Sequence, residues 1–269
     1  MISCKEYVLI QKERLKEKVA RFERKPRLAV VQIGDNPASN SYVKGKSKDA
    51  EELGIEFEHI HIKDYDDVSQ EVLEMRISNI NDCRLVDGII IQLPIPDKYD
   101  VERLQKCISP AKDVDGFRVD SIHSPCTPKG IIDWLDFNNY DYEGKVVAVF
   151  GRSKIVGKPM ANMLIDKGAT VISCNSKTED VCKYMAIADL SICAIGKPKF
   201  FCGYFKESSI VVDVGINRNG AGKLSGDVDK ECVEKHHENV YVTPVPGGVG
   251  LLTRCRLMQN VVEAYERRL

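Results

Sequence analysis

The sequence predicts an α/β protein made of two doubly wound domains with a cleft between them. Short apolar runs of strand length alternate with amphipathic stretches of helical length, a pattern typical of parallel sheets flanked by helices. The chain has 269 residues, 43% of them hydrophobic, which is enough for two cores. One apolar run, residues 146–150, leads into a turn bracketed by Gly151 and Gly157, and residues 159–164 after it are compatible with a helix.

Charge and composition exclude several classes of protein. The formal net charge of −1 gives no reason to expect a nucleic-acid or membrane-surface partner. The sequence shows neither a long apolar run nor a signal peptide, so we expect a cytoplasmic protein. The ten cysteines include no C-x-x-C pair, which favours reduced thiols over a disulfide framework or a zinc site. The five histidines show no metal-ligand spacing, so we expect them at the surface and predict no metal.

The first half of the chain reads as a helix followed by alternating strands and helices. Apolar residues at helical spacing predict a surface helix over 7–22, and a buried strand over 28–33 ends at Gly34. The next helix begins at Asp35-Asn36, has Pro37 in its first turn and ends at Gly54. A strand over 57–62, an amphipathic helix over 68–81 and a buried strand over 86–94 complete this half.

Three polar side chains of this half are expected at one crevice. Tyr42 and Lys46 are four residues apart on the predicted helix and therefore share a face. Gln92 lies at the carboxyl end of a buried strand, which is where parallel sheets bind ligands. A partly desolvated lysine can act as a base or stabilise negative charge, so Lys46 is the candidate catalytic group. The alternative is a solvated surface lysine, as we expect for Lys44 and Lys48.

The second half begins near Cys126 and predicts a second doubly wound sheet. Its strands are short apolar runs with helices between most of them. They cover residues 146–150, 170–174, 190–195, 210–214 and 240–243. A last helix over 251–268 is expected to pack back on the first domain. The predicted domains are therefore 1–125 completed by 251–269, and 126–250.

The glycine turn after residues 146–150 is suited to binding an anion. A strand that feeds a glycine turn and then a helix directs free backbone N–H groups and the helix dipole at a dinucleotide pyrophosphate. The spacing is not G-x-G-x-x-G, and an ordinary strand–helix turn remains the alternative. Residues 173–177, after the next strand, contain no carboxylate for a ribose diol. Arg152, Ser176 and Lys177 can instead hold a 2′-phosphate, which favours NADP over NAD; a solvated basic turn is the alternative.

Two further loops stand out. Residues 112–116, Lys-Asp-Val-Asp-Gly, form a turn with two carboxylates, for which an Asx-turn is the commoner explanation. Residues 244–250, Pro-Val-Pro-Gly-Gly-Val-Gly, combine prolines, which restrict the backbone, with glycines, which allow it many conformations. This segment suits close backbone approach to a ligand, or alternatively a rigid hinge between domains.

Eight motifs, in order along nearly the whole chain, carry a family resemblance. They are Tyr42-Val-x-x-Lys46, Gly88-Ile-Ile-Ile-Gln-Leu-Pro94, Lys112-Asp-Val-Asp-Gly116, Pro125-Cys-Thr-Pro128, Gly151-Arg-Ser-x-Ile-Val-Gly157, Asp213-Val-Gly-Ile-Asn217, Gly226-Asp-Val228 and Thr243-Pro-Val-Pro-Gly-Gly-Val-Gly250. With these motifs the chain resembles the bifunctional methylenetetrahydrofolate dehydrogenase/cyclohydrolase family (FolD type).

The resemblance implies an N-terminal catalytic domain, a Rossmann-type NADP domain and two reactions in one-carbon metabolism that serve purine biosynthesis. Methylenetetrahydrofolate is oxidised to the methenyl compound, which is then hydrolysed to 10-formyltetrahydrofolate. By analogy Lys46 serves the hydrolysis, Gln92 tunes it, Tyr42 positions the folate and Asp115 binds the pterin. The family is usually dimeric, so a homodimer is expected. The implied cofactor-binding residues are Gly151, Arg152, Ser153, Ile155, Val156, Gly157, Ser176 and Ile216, and the substrate-binding residues are Tyr42, Gln92, Asp115, Pro244, Gly247 and Gly248.

Three departures from the family pattern leave alternatives open. Asn175 stands where a histidine is usual, residues 117–124 are shorter than usual, and Leu251 replaces a common proline. A dehydrogenase with weak or no cyclohydrolase activity and an NAD-preferring member therefore remain alternatives. An amino-acid dehydrogenase fits less well, because it would need an acid–base lysine within a Gly-rich catalytic strand-turn, which Gln92-Leu-Pro does not provide. A non-catalytic nucleotide sensor fits less well because Tyr42, Lys46, Gln92 and Asp115 are all present.

Overall fold

The computed structural model describes residues 1–218 and 224–268 and divides into two compact units. We call Ile10–Cys126, together with the chain from Arg254 onward, the first unit. The second unit comprises Met1–Leu9 and Thr127–Thr253. Both unit boundaries near the chain ends fall inside helices, so each unit is built from separate stretches of chain.

Helices and strands alternate as the sequence predicts. The elements up to residue 106 are α1 (Cys4–Val19), β1 (Arg27–Ile33), α2 (Pro37–Leu53), β2 (Glu56–Ile62), α3 (Gln70–Asp82), β3 (Gly88–Gln92) and α4 (Val101–Lys106). Those from residue 126 onward are α5 (Cys126–Phe137), β4 (Val146–Phe150), α6 (Gly157–Asp166), β5 (Thr170–Cys174), α7 (Val181–Met185), β6 (Leu190–Cys193), β7 (Ile210–Asp213), β8 (Asn217–Arg218), β9 (Leu224–Ser225), α8 (Lys230–His236), β10 (Tyr241–Val242) and α9 (Val249–Glu266).

The ends of α2 follow from its sequence, and both predicted caps are confirmed. The Asn36 side chain accepts hydrogen bonds from the backbone N–H groups of Ala38 (2.9 Å) and Ser39 (3.3 Å). Pro37 occupies the first turn, where its missing N–H costs nothing. Gly54 ends the helix in the left-handed region (φ 75°) and returns its N–H to carbonyls of the last turn.

The first unit contains a three-stranded parallel sheet in the order β2-β1-β3. Side chains of β1 alternate between the two faces of this sheet. Leu28 and Val30 pack in one cluster with Leu257 and Val261 of α9. Ala29 and neighbouring residues of β1 form the second cluster with Leu73 and Ile77 of α3. Because helices cover both faces, β1 and β3 are almost wholly apolar rather than alternating.

The second unit contains a five-stranded parallel sheet in the order β10-β7-β6-β4-β5. Its strands match the predicted apolar runs, although three of them are shorter than predicted. β6 ends at Cys193, β7 ends at Asp213, and β10 has two residues. A two-stranded antiparallel ribbon, β8-β9, was not predicted, because two-residue strands carry no periodic signal.

The expected reduced thiols are found at eight of the ten cysteines, and the expectation of surface histidines is wrong for His123. Cys202 and Cys232 form a disulfide with 5.7 Å between their Cα atoms, although their sequence separation of 30 gives no motif that would signal it. His123 is buried rather than at the surface, and its Nε2 lies 3.3 Å from the Ala111 carbonyl oxygen. Within the described ranges, no helix combines the length and apolar character needed to cross a membrane.

One side chain of α9 ties the 112–116 turn to the first unit. The fully buried Asn260 amide donates to the carbonyl oxygens of Val114 (2.8 Å) and Ser124 (3.3 Å). Gly88 of β3 lets the turn approach, since a Cβ at this position would overlap the Val114 side chain. The turn therefore lies directly beside β3, and the Ile89 N–H donates to the Lys112 carbonyl at 2.8 Å.

We expect Asn260→Ala to lower the free energy of unfolding by about 1–3 kcal/mol, because it removes the amide that donates to the Val114 and Ser124 carbonyls. Chemical denaturation of the purified variant measures this loss. Gln259→Ala, one position earlier on α9 and partly exposed, is the matched control and is expected to change stability by less than about 0.5 kcal/mol. Equal stability of both variants would contradict the anchoring role of Asn260.

Candidate functional site

Strand order locates one candidate ligand site in each unit. In open parallel sheets, ligands bind beyond the carboxyl ends of neighbouring strands whose connections run in opposite directions. In the first unit this place is the carboxyl end of β1 and β3, where Gln32 is in register with Gln92. In the second unit it is the carboxyl end of β4 and β6, where Phe150 is in register with Cys193.

A buried lysine and a strand-end glutamine meet in the first unit. Lys46 of α2 is 8% exposed, and its Nζ donates to Gln92 Oε1 at 3.0 Å. The Gln92 Nε2 in turn donates to the Leu93 carbonyl at 2.7 Å. This second bond fixes the amide so that its oxygen faces the lysine. The predicted meeting of Lys46 and Gln92 is confirmed.

The 112–116 turn uses its two carboxylates differently. Asp113 accepts from the backbone N–H groups of Gly116 (3.2 Å) and Arg118 (2.9 Å), so it has the structural role of an Asx-turn. Lys112 is buried and donates to the Cys83 carbonyl at 2.8 Å, which fixes the start of the turn. Asp115 is half-buried and interacts electrostatically with Lys46.

Burial dominates the electrostatics of this site. It lowers the pKa of Lys46; Asp115 opposes this change, and Arg254 of α9 adds to it. Burial likewise raises the pKa of Asp115, with Lys46 opposing and Asp113 adding. The Cys126 thiol, whose Sγ donates to the Val114 carbonyl at 3.2 Å, has its pKa raised well above the usual value by burial. The site thus disfavours charge on both the amine and the carboxyl group.

The remaining predicted residue of this site is Tyr42, which lies half-buried on α2, one turn before Lys46. Lys44 and Lys48 are exposed, as predicted. Lys46 is therefore the buried lysine of this helix, next to an amide and a carboxyl group. Such a group can accept and return a proton close to a bound molecule.

The second unit has a cavity of about 570 Å³ at the carboxyl ends of its central strands. Its lining combines apolar, small and basic residues. They are Phe150, Gly151, Arg152, Ser153, Cys174, Asn175, Ser176, Thr178, Val181, Ala194, Ile195, Lys197, Phe200 and Phe201. No acidic side chain is among these residues.

The glycine turn brings backbone segments close together beside this cavity. Gly151 has φ 113°, and a Cβ there would overlap the Ala194 carbonyl oxygen. A Cβ at Gly157 would overlap the Gly151 carbonyl oxygen. The Ser153 hydroxyl accepts from the N–H groups of Val156 (3.2 Å) and Gly157 (3.3 Å) at the start of α6. The turn therefore has the predicted form, a strand followed by glycine and then a helix N-terminus.

Arg152 extends toward the end of β5. Its Nε donates to Ser173 Oγ at 3.1 Å, and the guanidinium also donates to the Ser173 carbonyl. Asn175 uses its side-chain oxygen to accept from the Lys177 N–H at 3.0 Å, so this residue shapes the loop that Ser176 and Lys177 share. A basic group thus lies where a carboxylate would bind an unphosphorylated ribose.

The other predicted cofactor and substrate residues lie outside the lining of this cavity. Ile155 and Ile216 are 38% and 45% exposed, and Val156 is half-buried. In the 244–250 loop Gly247 has φ 104°, and a Cβ at Gly248 would overlap the Pro244 carbonyl oxygen. This loop belongs to the second unit, whereas Tyr42, Gln92 and Asp115 belong to the first.

Sequence reasoning missed several residues of both sites. Arg254, Asn260, Thr178 and Lys197 were not singled out, and Cys126 entered only as part of a motif. Two arginines in the first half of the final helix are a sequence signal, but this signal does not distinguish Arg254 from Arg256. Over the described parts of the chain, no cluster of His, Cys, Asp or Glu is arranged to hold a metal ion.

Comparison with known proteins places both halves in the same family. The family model described as the catalytic domain of tetrahydrofolate dehydrogenase/cyclohydrolase matches residues 2–115, and that of its NAD(P)-binding domain matches residues 125–269. The bifunctional protein FolD of Bacillus mycoides is 41% identical over 270 residues, covering 96% of this chain and 93% of that protein.

Two solved structures extend the comparison. The bifunctional FolD enzyme from Campylobacter jejuni has a TM-score of 0.94 at 41% identity, covering 99% of this chain and 98% of that one. The Trypanosoma brucei FolD, described as complexed with NADP cofactor and an inhibitor, has a TM-score of 0.91 at 29% identity, covering 100% and 97%.

We expect Gly151→Ala to destabilise the protein by more than backbone strain alone, because the added methyl group meets the Ala194 carbonyl. Gly144→Ala is the matched control. Gly144 also has positive φ, 70°, but an added Cβ meets nothing within 4 Å. Strain alone costs roughly 1–2 kcal/mol in the control. Thermal unfolding of both variants measures the difference, and equal losses would show that the close approach at Gly151 is unimportant.

Proposed function

The chain belongs to the tetrahydrofolate dehydrogenase/cyclohydrolase family, and from this premise we propose that its buried Lys46–Gln92 pair performs the hydrolytic step while the cavity of its second unit holds NADP. The protein oxidises 5,10-methylenetetrahydrofolate to 5,10-methenyltetrahydrofolate with NADP and hydrolyses that product to 10-formyltetrahydrofolate. Both reactions belong to one-carbon metabolism. The observation that carries the proposal is the 3.0 Å hydrogen bond of a buried lysine to a strand-end amide.

The cavity of the second unit fits NADP. Gly151 lets the Ala194 backbone approach closely at the edge of the cavity, and the positive end of the α6 dipole lies at this glycine turn, where it favours an anion. Arg152 and Ser176 supply a guanidinium and a hydroxyl for a 2′-phosphate, and the lining contains no carboxylate that would repel it. When bound, NADP supplies the carbon that accepts the hydride. We propose that Ser153, Ile155, Val156, Gly157 and Ile216 complete the binding surface.

The hydride step needs orientation rather than a proton acceptor. The lone pair of a folate nitrogen stabilises the cation that forms when hydride leaves the methylene carbon. The contribution of the protein is therefore to hold the two reacting carbons close together. We propose that Asp115 accepts hydrogen bonds from pterin N–H groups and that Tyr42 positions the folate. Pro244, Gly247 and Gly248 are proposed to supply backbone surface for the substrate.

The hydrolytic step needs a proton acceptor. Water attacks the methenyl carbon and loses one proton, which leaves a neutral carbinolamine. The carbon–nitrogen bond then breaks as the departing nitrogen gains a proton and the hydroxyl group loses its proton to become the formyl oxygen. We propose that Lys46 accepts the first proton, because burial lowers its pKa and so favours the neutral amine. Gln92 holds the amine in place through its side-chain oxygen. The same lysine, once protonated, can return a proton to the departing nitrogen.

The Lys46–Gln92 pair also argues against the alternative of a dehydrogenase with little cyclohydrolase activity. That alternative expects the lysine or its partner to be displaced, and both are in position. An NAD-preferring member is disfavoured by Arg152 at the end of β5. We further propose that the protein is a cytoplasmic homodimer and that its product supplies purine biosynthesis, as the family resemblance implies.

We expect Lys46→Met to reduce cyclohydrolase activity by about 10²–10⁴-fold, because removing a general base has this effect. Dehydrogenase activity is expected to persist in part, so methenyltetrahydrofolate accumulates. Both rates are measured spectrophotometrically on one purified sample, with the exposed Lys48→Met of the same helix as the control. Unchanged hydrolysis would reject the catalytic role, and equal loss of both rates would indicate substrate positioning instead.

We expect Arg152→Ala to weaken NADP binding by roughly 1.5–3 kcal/mol, the range for hydrogen bonds to charged groups. NAD binding should change far less, so the preference for NADP narrows. Titration of each dinucleotide against the variant measures this. Lys235→Ala, which removes an exposed positive charge on α8, controls for general electrostatic attraction. Better use of NAD than NADP by the unmodified protein would overturn the assignment of Arg152.

A further inference from the structure

A buried ion network on α2 lies directly beside Lys46. Asp49, one turn after Lys46, has a side chain that is only 7% exposed, and it contacts two cations. Lys12 Nζ lies 2.7 Å from Asp49 Oδ1, and Arg254 Nε lies 3.2 Å from Asp49 Oδ2. Lys12 also lies 2.5 Å from Glu52 Oε2, so the network joins two cations to two carboxylates, and Asp49 is the one that holds Arg254 against the helix.

The arginine of this network lies across the backbone of Gly45, the residue before Lys46. A Cβ at Gly45 would overlap the guanidinium of Arg254. Glycine in the middle of a helix costs about 0.5–1 kcal/mol relative to alanine. Here its missing side chain makes room for Arg254, so the guanidinium spans one turn of α2 from Gly45 to Asp49.

We propose that Arg254 is a positioning residue for the hydrolysis: anchored by Asp49 in the space above Gly45, it holds a fixed positive charge beside Lys46 and keeps that amine able to accept a proton. The inference rests on the proposed role of Lys46 and extends it. A guanidinium suits the task because it stays protonated at every working pH. Arg254 does not touch the reacting atoms in this scheme and acts only through Lys46.

The other groups that face Lys46 set the balance against which Arg254 acts. Gln92 of β3 is neutral and accepts a hydrogen bond. Asp115 from the 112–116 turn favours the protonated amine, and Cys126 at the start of α5 faces the site as a thiol whose pKa burial raises well above the usual value. On α2 itself, Asp49 is paired with Lys12 and Arg254, and Glu52 shares Lys12. Arg254 is therefore the group that counteracts Asp115, in line with its lowering of the Lys46 pKa.

The test is the pH profile of the cyclohydrolase rate in Arg254→Gln. Removing the positive charge should move the ascending limb of the profile upward by about 0.5–1 pH unit. Below the limb the rate should fall roughly 3–10-fold, whereas at high pH it should converge with that of the unmodified enzyme. Arg254→Lys keeps the charge, so its limb should stay near the original position. An unmoved limb, or a loss by the same factor at every pH, would overturn the proposal.

Gly45→Ala provides an independent variant that retains every ionisable group. The methyl group displaces the guanidinium, so the limb should move in the same direction as in Arg254→Gln, even though alanine favours the helix. Circular dichroism verifies that each variant is folded. Lys46→Met is measured in parallel. If it loses hydrolysis while the limb of Arg254→Gln is unmoved, only the role of Arg254 fails. If it retains hydrolysis, the proposed role of Lys46 fails as well.

Discussion

The cost of burying an ammonium group is the constraint on which the candidate active site depends. Removing a charged amine from water costs several kcal/mol unless partners compensate it, and otherwise the group loses its proton. Lys46 has a hydrogen-bond acceptor in Gln92, an acidic neighbour in Asp115 that favours the charged amine, and a positively charged neighbour in Arg254 that disfavours it. The three come from a strand end, a turn and the last helix. The fold of the first unit is thus what determines the protonation of one side chain.

Much of this arrangement was predictable, because its signals are local. Continuous apolar runs at 28–33 and 146–150 identify strands covered on both faces. Asn36 and Gly54 bound α2 by backbone chemistry that any helix shares. Once α2 and β3 are placed, the spacing of Tyr42 and Lys46 and the position of Gln92 at a strand end follow. The glycine turn at 151–157 was equally readable, since only glycine tolerates such close backbone contacts.

The features that sequence reasoning missed depend on partners far apart in the chain. The position of Arg254 is defined by Asp49 and Gly45, about two hundred residues earlier. The Cys202–Cys232 disulfide and the buried His123 likewise have no signature in their neighbouring residues. Of the two carboxylates in the 112–116 turn, the sequence alone does not reveal that Asp113 binds backbone N–H groups while Asp115 interacts with Lys46. Tertiary contacts, which no periodicity encodes, decide such cases.

The first unit is built from two stretches of chain that are far apart in the sequence, and this affects how it folds during synthesis. Its sheet is synthesised early, but one face of that sheet is covered by Leu257, Val261 and their neighbours on α9. While the ribosome is still translating the second unit, α1 and α2 cover only part of that apolar face, because the α9 residues are still missing. The candidate site of the first unit is therefore completed only after α9 has emerged and Arg254 can contact Asp49. A chaperone that shields apolar surface would act on this protein mainly during that interval.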